Sequence, residues 1–297
     1  LLVPLLGGNR WPDAPRSFYA AWDQGHVLAF CLWTALLLRR FPRLITLALP
    51  IQVVAVLGFA LIFGGVAEGL QRLGGNGTPS LFDMGRNLLG ALAGWAFFSP
   101  GPKARSAVYR RYPRLLVGVL MLVSLLPLGR ALVDEVQARM AFPVLAAFDA
   151  PFELDRWSGG ADHGITRPPF EPHNPMLAIR FLTDRYSGVS LNHFPRDWRG
   201  FKAFAFRAYN PEATPIPVVC RINDRRHNQE GHRYRDRFNR RLTLLPGWSQ
   251  IRLPIEEIAA ALAGRRMDLD DVLQVGLFTI SLPAPRRLYL DDVRLIH

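Results

Sequence analysis

The chain of 297 residues contains only two cysteines, Cys31 and Cys220, and only two lysines, Lys103 and Lys202. Cys31 lies in an apolar segment and Cys220 in a strand-like run, so no disulfide framework is expected to organise the fold. There is no nucleophile elbow, no phosphate-cradling glycine loop and no clustered Cys/His metal motif. After Val133 no apolar run is long enough to cross a bilayer. Internal repeats and low-complexity tracts are also missing.

The 36 basic residues are therefore nearly all arginine, and against 24 acidic residues they give a formal charge of +12. Such a charge is compatible with nucleic acid. Much of it, however, sits in two short loops between apolar segments: Arg39, Arg40 and Arg43, then Lys103, Arg105, Arg110, Arg111 and Arg114. Positive loops in that setting report topology. The preference for arginine over lysine is read as coding bias rather than function.

Four apolar segments, Tyr19–Leu38, Leu44–Val66, Leu81–Phe98 and Leu115–Val133, have the length needed to cross a hydrocarbon core of roughly 30 Å. Asp83, Arg86 and Asn87 interrupt the start of the third. With both basic loops cytoplasmic, the Glu68–Ser80 loop and everything after Val133 are expected outside. Leu1–Leu6 reads as the tail of a further helix. The expected layout is multidomain: a helical transmembrane bundle over 1–135, a linker over 136–150, and an all-β sandwich over 151–297.

In the first half, His26, Glu68, Gln71, Asp83 and Asn87 are expected to gather near the outer leaflet. Gly90 and Gly94 form a small-xxx-small seam for close helix approach, expected to bring Asp83 and Asn87 against Glu68 and Gln71. Helix-to-helix hydrogen bonding is one reading of the cluster, and a polar pocket for a lipid headgroup or an ion is another. His26 with two carboxylates has the residue types for acid–base work but not the tight spacing. The run Gly25-His26-Val27-Leu28-Ala29-Phe30, then Glu68-x-x-Gln71, then Asp83-x-x-x-Asn87-x-x-Gly90-x-x-x-Gly94, resembles the VanZ-like membrane family. The resemblance covers roughly residues 1–135 and implies a small integral protein of the bacterial cytoplasmic membrane, with no established reaction. The chain departs from the family's Asp-Lys before the histidine, having Trp22-Asp23. It also lacks a basic residue between Arg72 and Arg86.

In the second half, eight short alternating segments are expected as strands: Met176–Leu182, Val189–His193, Phe201–Tyr209, Ile216–Ile222, Leu242–Leu245, Gln250–Leu253, Val275–Ser281 and Arg287–Ile296. Pro168-Pro169, Asn210-Pro211 and Pro246-Gly247 separate them. One short helix is expected at Ile255–Ala263. Many short strands with few helices indicate an antiparallel sandwich or jelly roll. Trp198-Arg199-Gly200-Phe201, Ile222-Asn223-Asp224, Pro246-Gly247-Trp248 and Leu288-Tyr289-Leu290-Asp291-Asp292-Val293 resemble the galactose-binding-like, carbohydrate-binding jelly rolls. That resemblance implies a glycan-binding sandwich, often with a structural calcium.

Leu288 and Leu290 have even numbers, Val293 and Leu295 odd ones, so the inward phase switches across Asp291-Asp292 and a β-bulge is expected there. Paired carboxylates at a bulge suit Ca²⁺, with Glu153 and Asp155 on an adjoining first strand as further oxygens. Asp224, His227, Asn228, Tyr234, Asp236, Arg237 and Asn239 combine planar hydrogen-bonding groups with an aromatic face, as sugar recognition needs. The expected partners are membrane lipid and a cell-envelope glycan or lipid-linked precursor. An extracytoplasmic position argues against nucleic acid. A binding role without catalytic residues is the leading expectation. A membrane enzyme using His26, Glu68 and Asp83, or a protein-binding scaffold, are the alternatives.

Overall fold

The computed structural model describes residues 14–73, 80–99, 107–231 and 233–297. Leu1–Leu6, residues 74–79 of the Glu68–Ser80 loop and the Lys103–Arg105 stretch lie outside these. The chain divides into two compact units, Leu1–Ala131 and Leu132–His297.

The first unit is helical: α1 (Arg16–Arg40), α2 (Leu49–Leu73), α3 (Leu81–Phe98) and α4 (Ala107–Ser124), with α5 (Leu126–Ala141) following directly. The Ser80 hydroxyl caps α3 by accepting from the amides of Phe82 and Asp83. Gly90 and Gly94 of α3 let its backbone press on α1. A Cβ at either position would lie 2.4 Å from the carbonyl oxygen of Val27 or Cys31. The small-residue seam therefore faces the first helix, rather than the second as expected. His26 Nδ1 of α1 and Asn87 Oδ1 of α3 are 2.9 Å apart. Arg86 bridges Asp23 at 2.7 Å and Asp83 at 2.5 Å. Helix α2 approaches the same place through Gly64, where a Cβ would lie 2.8 Å from Asn87 Nδ2. Glu68 is buried, and the side chain of Gln71 lies outside the described residues.

Among the described residues, two helical stretches are long and apolar enough to cross a membrane by length and composition: Leu49–Leu70, with 22 residues, and Arg111–Ala141, with 31. The other two expected spans do form helices. Asp23, Gln24 and His26 in one, and Asp83, Arg86 and Asn87 in the other, keep them less apolar.

The second unit is an antiparallel β-sandwich. Its strands are β1 (Val144–Ala146), β2 (Trp157–Gly159), β3 (Asp162–Thr166), β4 (Met176–Phe181), β5 (Ser187–Leu191), β6 (Ala203–Asn210), β7 (Ile216–Asp224), β8 (Phe238–Leu244), β9 (Gly247–Pro254), β10 (Val272–Thr279) and β11 (Arg286–Ile296). The first sheet runs β3-β4-β11-β6-β9, with β1 also on β11, and the second runs β2-β5-β10-β7-β8. Two short helices, α6 (Arg225–Gln229) and α7 (Ile255–Ala260), complete it. Side chains alternate across each strand. Leu177, Ile179, Phe204 and Phe206 from the first sheet meet Val189, Leu191, Cys220 and Leu277 from the second in one core. Both cysteines are free, and burial pushes the Cys220 thiol up to about 12.

The bulge expected at Asp291-Asp292 is present: pairing of β11 with β6 shifts register between Asp291 and Arg294, and Asp292 has φ of 51°. Two expectations change. Residues 136–150 are not a free linker, because they hold the end of α5 and strand β1, which pairs with β11. Glu153 and Asp155 lie in a 3₁₀ turn, Glu153–Arg156, rather than on a strand.

Within this unit Arg156 and Asp134 form an ion pair at 2.7 Å, each side chain only 1% exposed. Arg156 Nη1 also donates to the Leu145 carbonyl at 3.0 Å. This pair fastens the end of α5 and strand β1 to the turn before β2. Asp134→Ala would remove the close carboxylate and leave the buried guanidinium facing the more distant Glu153 at 3.9 Å. We expect a loss of about 3–5 kcal/mol in urea-unfolding stability; a change below about 1 kcal/mol would show that the pair does not hold this corner.

Candidate functional site

The outer face of the second sheet carries polar and aromatic side chains in rows set by strand register. One row runs Ser158, Ser190, Gly276, Arg221 and Asn239 across β2, β5, β10, β7 and β8. The next runs Gly188, Phe278, Val219 and Arg241. Two strand-interior glycines shape the floor. At Gly188 a Cβ would lie 2.3 Å from the Leu277 oxygen and from Phe278 Cβ. At Gly276 it would meet the Arg221 guanidinium and the Ser190 hydroxyl at 3.3 Å. Glycine inside a strand marks close approach. Here it lets Arg221 lie flat over the sheet.

The result is a groove of about 610 Å³, walled by Tyr186, Tyr234, Phe278 and Ile280 and lined by Arg221, Arg237 and Arg241. Arg221 Nη2 donates to Gln274 Oε1 at 2.6 Å and to Ser190 Oγ at 3.3 Å. Gln274 Nε2 donates to Asn192 Oδ1 at 2.6 Å, and Asn192 Nδ2 donates to Ser158 Oγ at 2.8 Å. A polar chain thus crosses the sheet from Arg221 to its β2 edge. Arg221 lies over the Phe278 ring at 5.9 Å and Arg237 over Tyr234 at 5.5 Å. Burial, and then the neighbouring charge of Arg237, hold Arg221 below the usual arginine range. Burial does the same to Arg237. No Asp or Glu occurs among the described lining residues.

The seven expected sugar-contacting residues divide between this groove and its support. Tyr234 and Arg237 line it. Asn239 holds their loop, donating to the carbonyls of Tyr234 at 3.1 Å and Arg237 at 3.2 Å. Asp224 caps α6 through the His227 amide at 3.0 Å, and Asn228 accepts from Asn223 at 3.2 Å. Asp224 and Asp236 both grip Arg265, at 2.5 and 2.6 Å, and His227 Nδ1 lies 3.5 Å from Asp236. These last residues build the loop base. Sequence reasoning missed Arg221, Arg241, Tyr186, Phe278 and the two glycines. Gly188 and Gly276 inside apolar strands were the available signal.

The four carboxylates considered for Ca²⁺ do not gather. No group of three or more His, Cys, Asp or Glu is placed to hold a metal among the described residues. Cations take three of the four: Glu153 faces Arg156 at 3.9 Å, Asp291 faces Arg207 at 3.4 Å, and Asp292 pairs with Arg294. Asn174 also donates to Asp291 at 3.0 Å. In the helical unit, His26, Asp23, Asp83, Arg86 and Asn87 bond to one another and tie α1 to α3.

The sandwich places the second half among antiparallel β-sandwich domains. No protein-family model matches the chain, the VanZ-like family included, and no curated protein matches its sequence. Among solved structures it is similar to a family 11 carbohydrate-binding module from Clostridium thermocellum in complex with a β-1,3-1,4-mixed-linked tetrasaccharide. That match has 13% identity and a TM-score of 0.40, covering 52% of this chain and 94% of that one. It is similar to an exo-β-agarase, at 13% identity and a TM-score of 0.41, over 51% of this chain and only 24% of that one. A family 28 module specific for non-crystalline cellulose matches at 11% identity and a TM-score of 0.39, over 53% and 94%. The sandwich rests on its own strand pairing, and its chemistry on the side chains above.

The Arg265 clamp has a pH signature. Burial alone would raise the Asp224 carboxyl, but bonds from Arg265 and from the Asp268 and His227 amides outweigh it and leave it lowered. Arg265 also lowers Asp236. Depressed carboxyls stabilise the fold above their unfolded value of about 3.9, and that stability fades as pH falls through the lower folded values. Arg265→Met should flatten the acid limb of a melting-temperature profile below about pH 4; an unchanged limb would place the acid sensitivity elsewhere.

Proposed function

We propose that the protein is a membrane-anchored saccharide-binding protein of the bacterial envelope. The helical unit anchors it, and the groove on the second sheet takes a stretch of envelope glycan. The groove carries this reading. Its volume of about 610 Å³ suits a small-ligand site, roughly 300–1,000 Å³. Its lining joins aromatic faces, which cover the C–H faces of sugar rings, to guanidinium and hydroxyl groups that bond to sugar hydroxyls.

The anchoring part rests on exposed apolar surface. Along the two span-length helices Val54 is 69% exposed, Ile62 67% and Leu122 68%. Contiguous apolar surface of this kind is rare on a monomer in water. An apolar hollow of about 480 Å³ in the helical unit is lined by Trp33, Phe41, Phe59 and Phe63 and edged by Arg40. That combination fits an acyl chain near a basic interface. On this reading the positive loops face the cytoplasm and the residues after α5 lie outside. The VanZ-like resemblance agrees with a polytopic protein, and it makes a lipid-linked precursor a reasonable source of the glycan.

The test is binding of the full chain, in lipid nanodiscs, to a panel of envelope polysaccharides. Phe278→Ala and Tyr234→Ala should each weaken the measured Kd by about 3- to 10-fold. Trp248→Ala, on the first sheet, should leave it unchanged. Equal weakening by all three would move the binding site off the groove.

A further inference from the structure

We propose that the groove selects an anionic saccharide, one whose sugars carry carboxylate or sulfate-ester groups, and that Arg221, Arg237 and Arg241 hold those groups. The inference rests on the groove being the saccharide site. Its starting point is an imbalance of charge. Three arginines line one hollow, and no Asp or Glu is among its described lining residues. Elsewhere in the sandwich half-buried arginines have carboxylate partners: Arg265 has Asp224 and Asp236, Arg207 has Asp291 and Glu171, and Arg225 has Asp271. In the groove, Nε of Arg221 and of Arg237 is buried, and no described protein group accepts from it. A cation withdrawn from water without a counter-charge is costly. An incoming anion relieves that cost, because a guanidinium offers paired donors matched to planar or tetrahedral oxyanions.

The geometry also gives the ligand a direction. Arg221 is paired with Asn239 on β8, and Arg241 is the next residue along β8 on that face. The two arginines are thus diagonal neighbours, about 7–8 Å apart at their backbones. Arg237 immediately precedes the same strand. Cationic groups therefore occupy the β7–β8 side of the face. From Arg221 the neutral chain of Gln274, Asn192 and Ser158 continues toward β2. A charged sugar is held at the first end, and its neighbours' hydroxyls meet amides and hydroxyls at the other.

The experiment measures binding of the full chain in zwitterionic nanodiscs at physiological ionic strength. The probes are polygalacturonate, dextran sulfate, a neutral mixed-linkage β-glucan and oligo-dT. The test variant is Arg237→Gln with Arg241→Gln. Its control, Arg252→Gln with Arg287→Gln, removes the same charge from exposed positions on the first sheet. Melting curves confirm that each variant folds. We expect an acidic polysaccharide to bind more tightly than the glucan. The groove variant should lose about 10- to 100-fold and the control less than about twofold. Whether polygalacturonate or dextran sulfate is preferred identifies the anion. Equal losses in both variants would reduce the effect to net charge and overturn the proposal. Glucan binding as tight as the acidic polymers would overturn anion selection while leaving the groove a saccharide site. Silence toward every polysaccharide would overturn both readings, as would tighter oligo-dT binding abolished in the groove variant.

Discussion

Guanidinium charge held out of water has to be matched, and in an arginine-rich chain that constraint organises much of the sandwich. The pair between Arg156 and Asp134, with both side chains 1% exposed, closes the corner where α5 and β1 meet the turn before β2. Arg265, held between Asp224 and Asp236, closes the base of the loop before β8. Arg207 works differently, lying 4.1 Å from the Trp248 ring while facing Asp291 and Glu171. Only against this pattern does the groove stand apart, because its arginines meet rings and amides instead of carboxylates.

The same requirement explains the fate of several acidic residues. A pair of aspartates at a bulge resembles a cation site when only the sequence is in view. In the fold, Asp291 accepts from Asn174 and faces Arg207, and Asp292 turns to Arg294. Arg207 of the neighbouring β6 and Arg294 of β11 itself occupy the oxygens. The helical unit follows a related rule, since Arg86 lies between Asp23 and Asp83 and the polar groups of α1 and α3 bond mainly to each other.

Much of the sandwich was legible from alternation. The span Arg287–Ile296 differs by one residue from β11, and Ile216–Ile222 falls within β7. The parity change across Asp291-Asp292 located the bulge without knowledge of its partner strand. The first three strands escaped notice because they are three to five residues long, and β2 and β3 are further interrupted by glycine. The groove escaped for another reason. Arg221 sits in an apolar strand between Cys220 and Ile222, and only the register of β7 with β10 puts it over Gly276. The polar loop of residues 223–239 drew attention because its composition is conspicuous, yet most of it supports the groove rather than lining it. The glycine seam was visible, but spacing alone could not say which helix would press upon it.

Arg221 resting over Gly276 has a consequence for how the groove meets whatever enters it. Hydrogen bonds to Gln274 and Ser190 and the ring of Phe278 already fix its orientation. Its rotamer entropy is lost on folding, before any ligand arrives. Arg241 is exposed and keeps that freedom. The face therefore combines one preorganised charge with a more adjustable one. Such a surface can accept polymers whose charges repeat at different intervals, keeping one fixed point of registration and adapting the other.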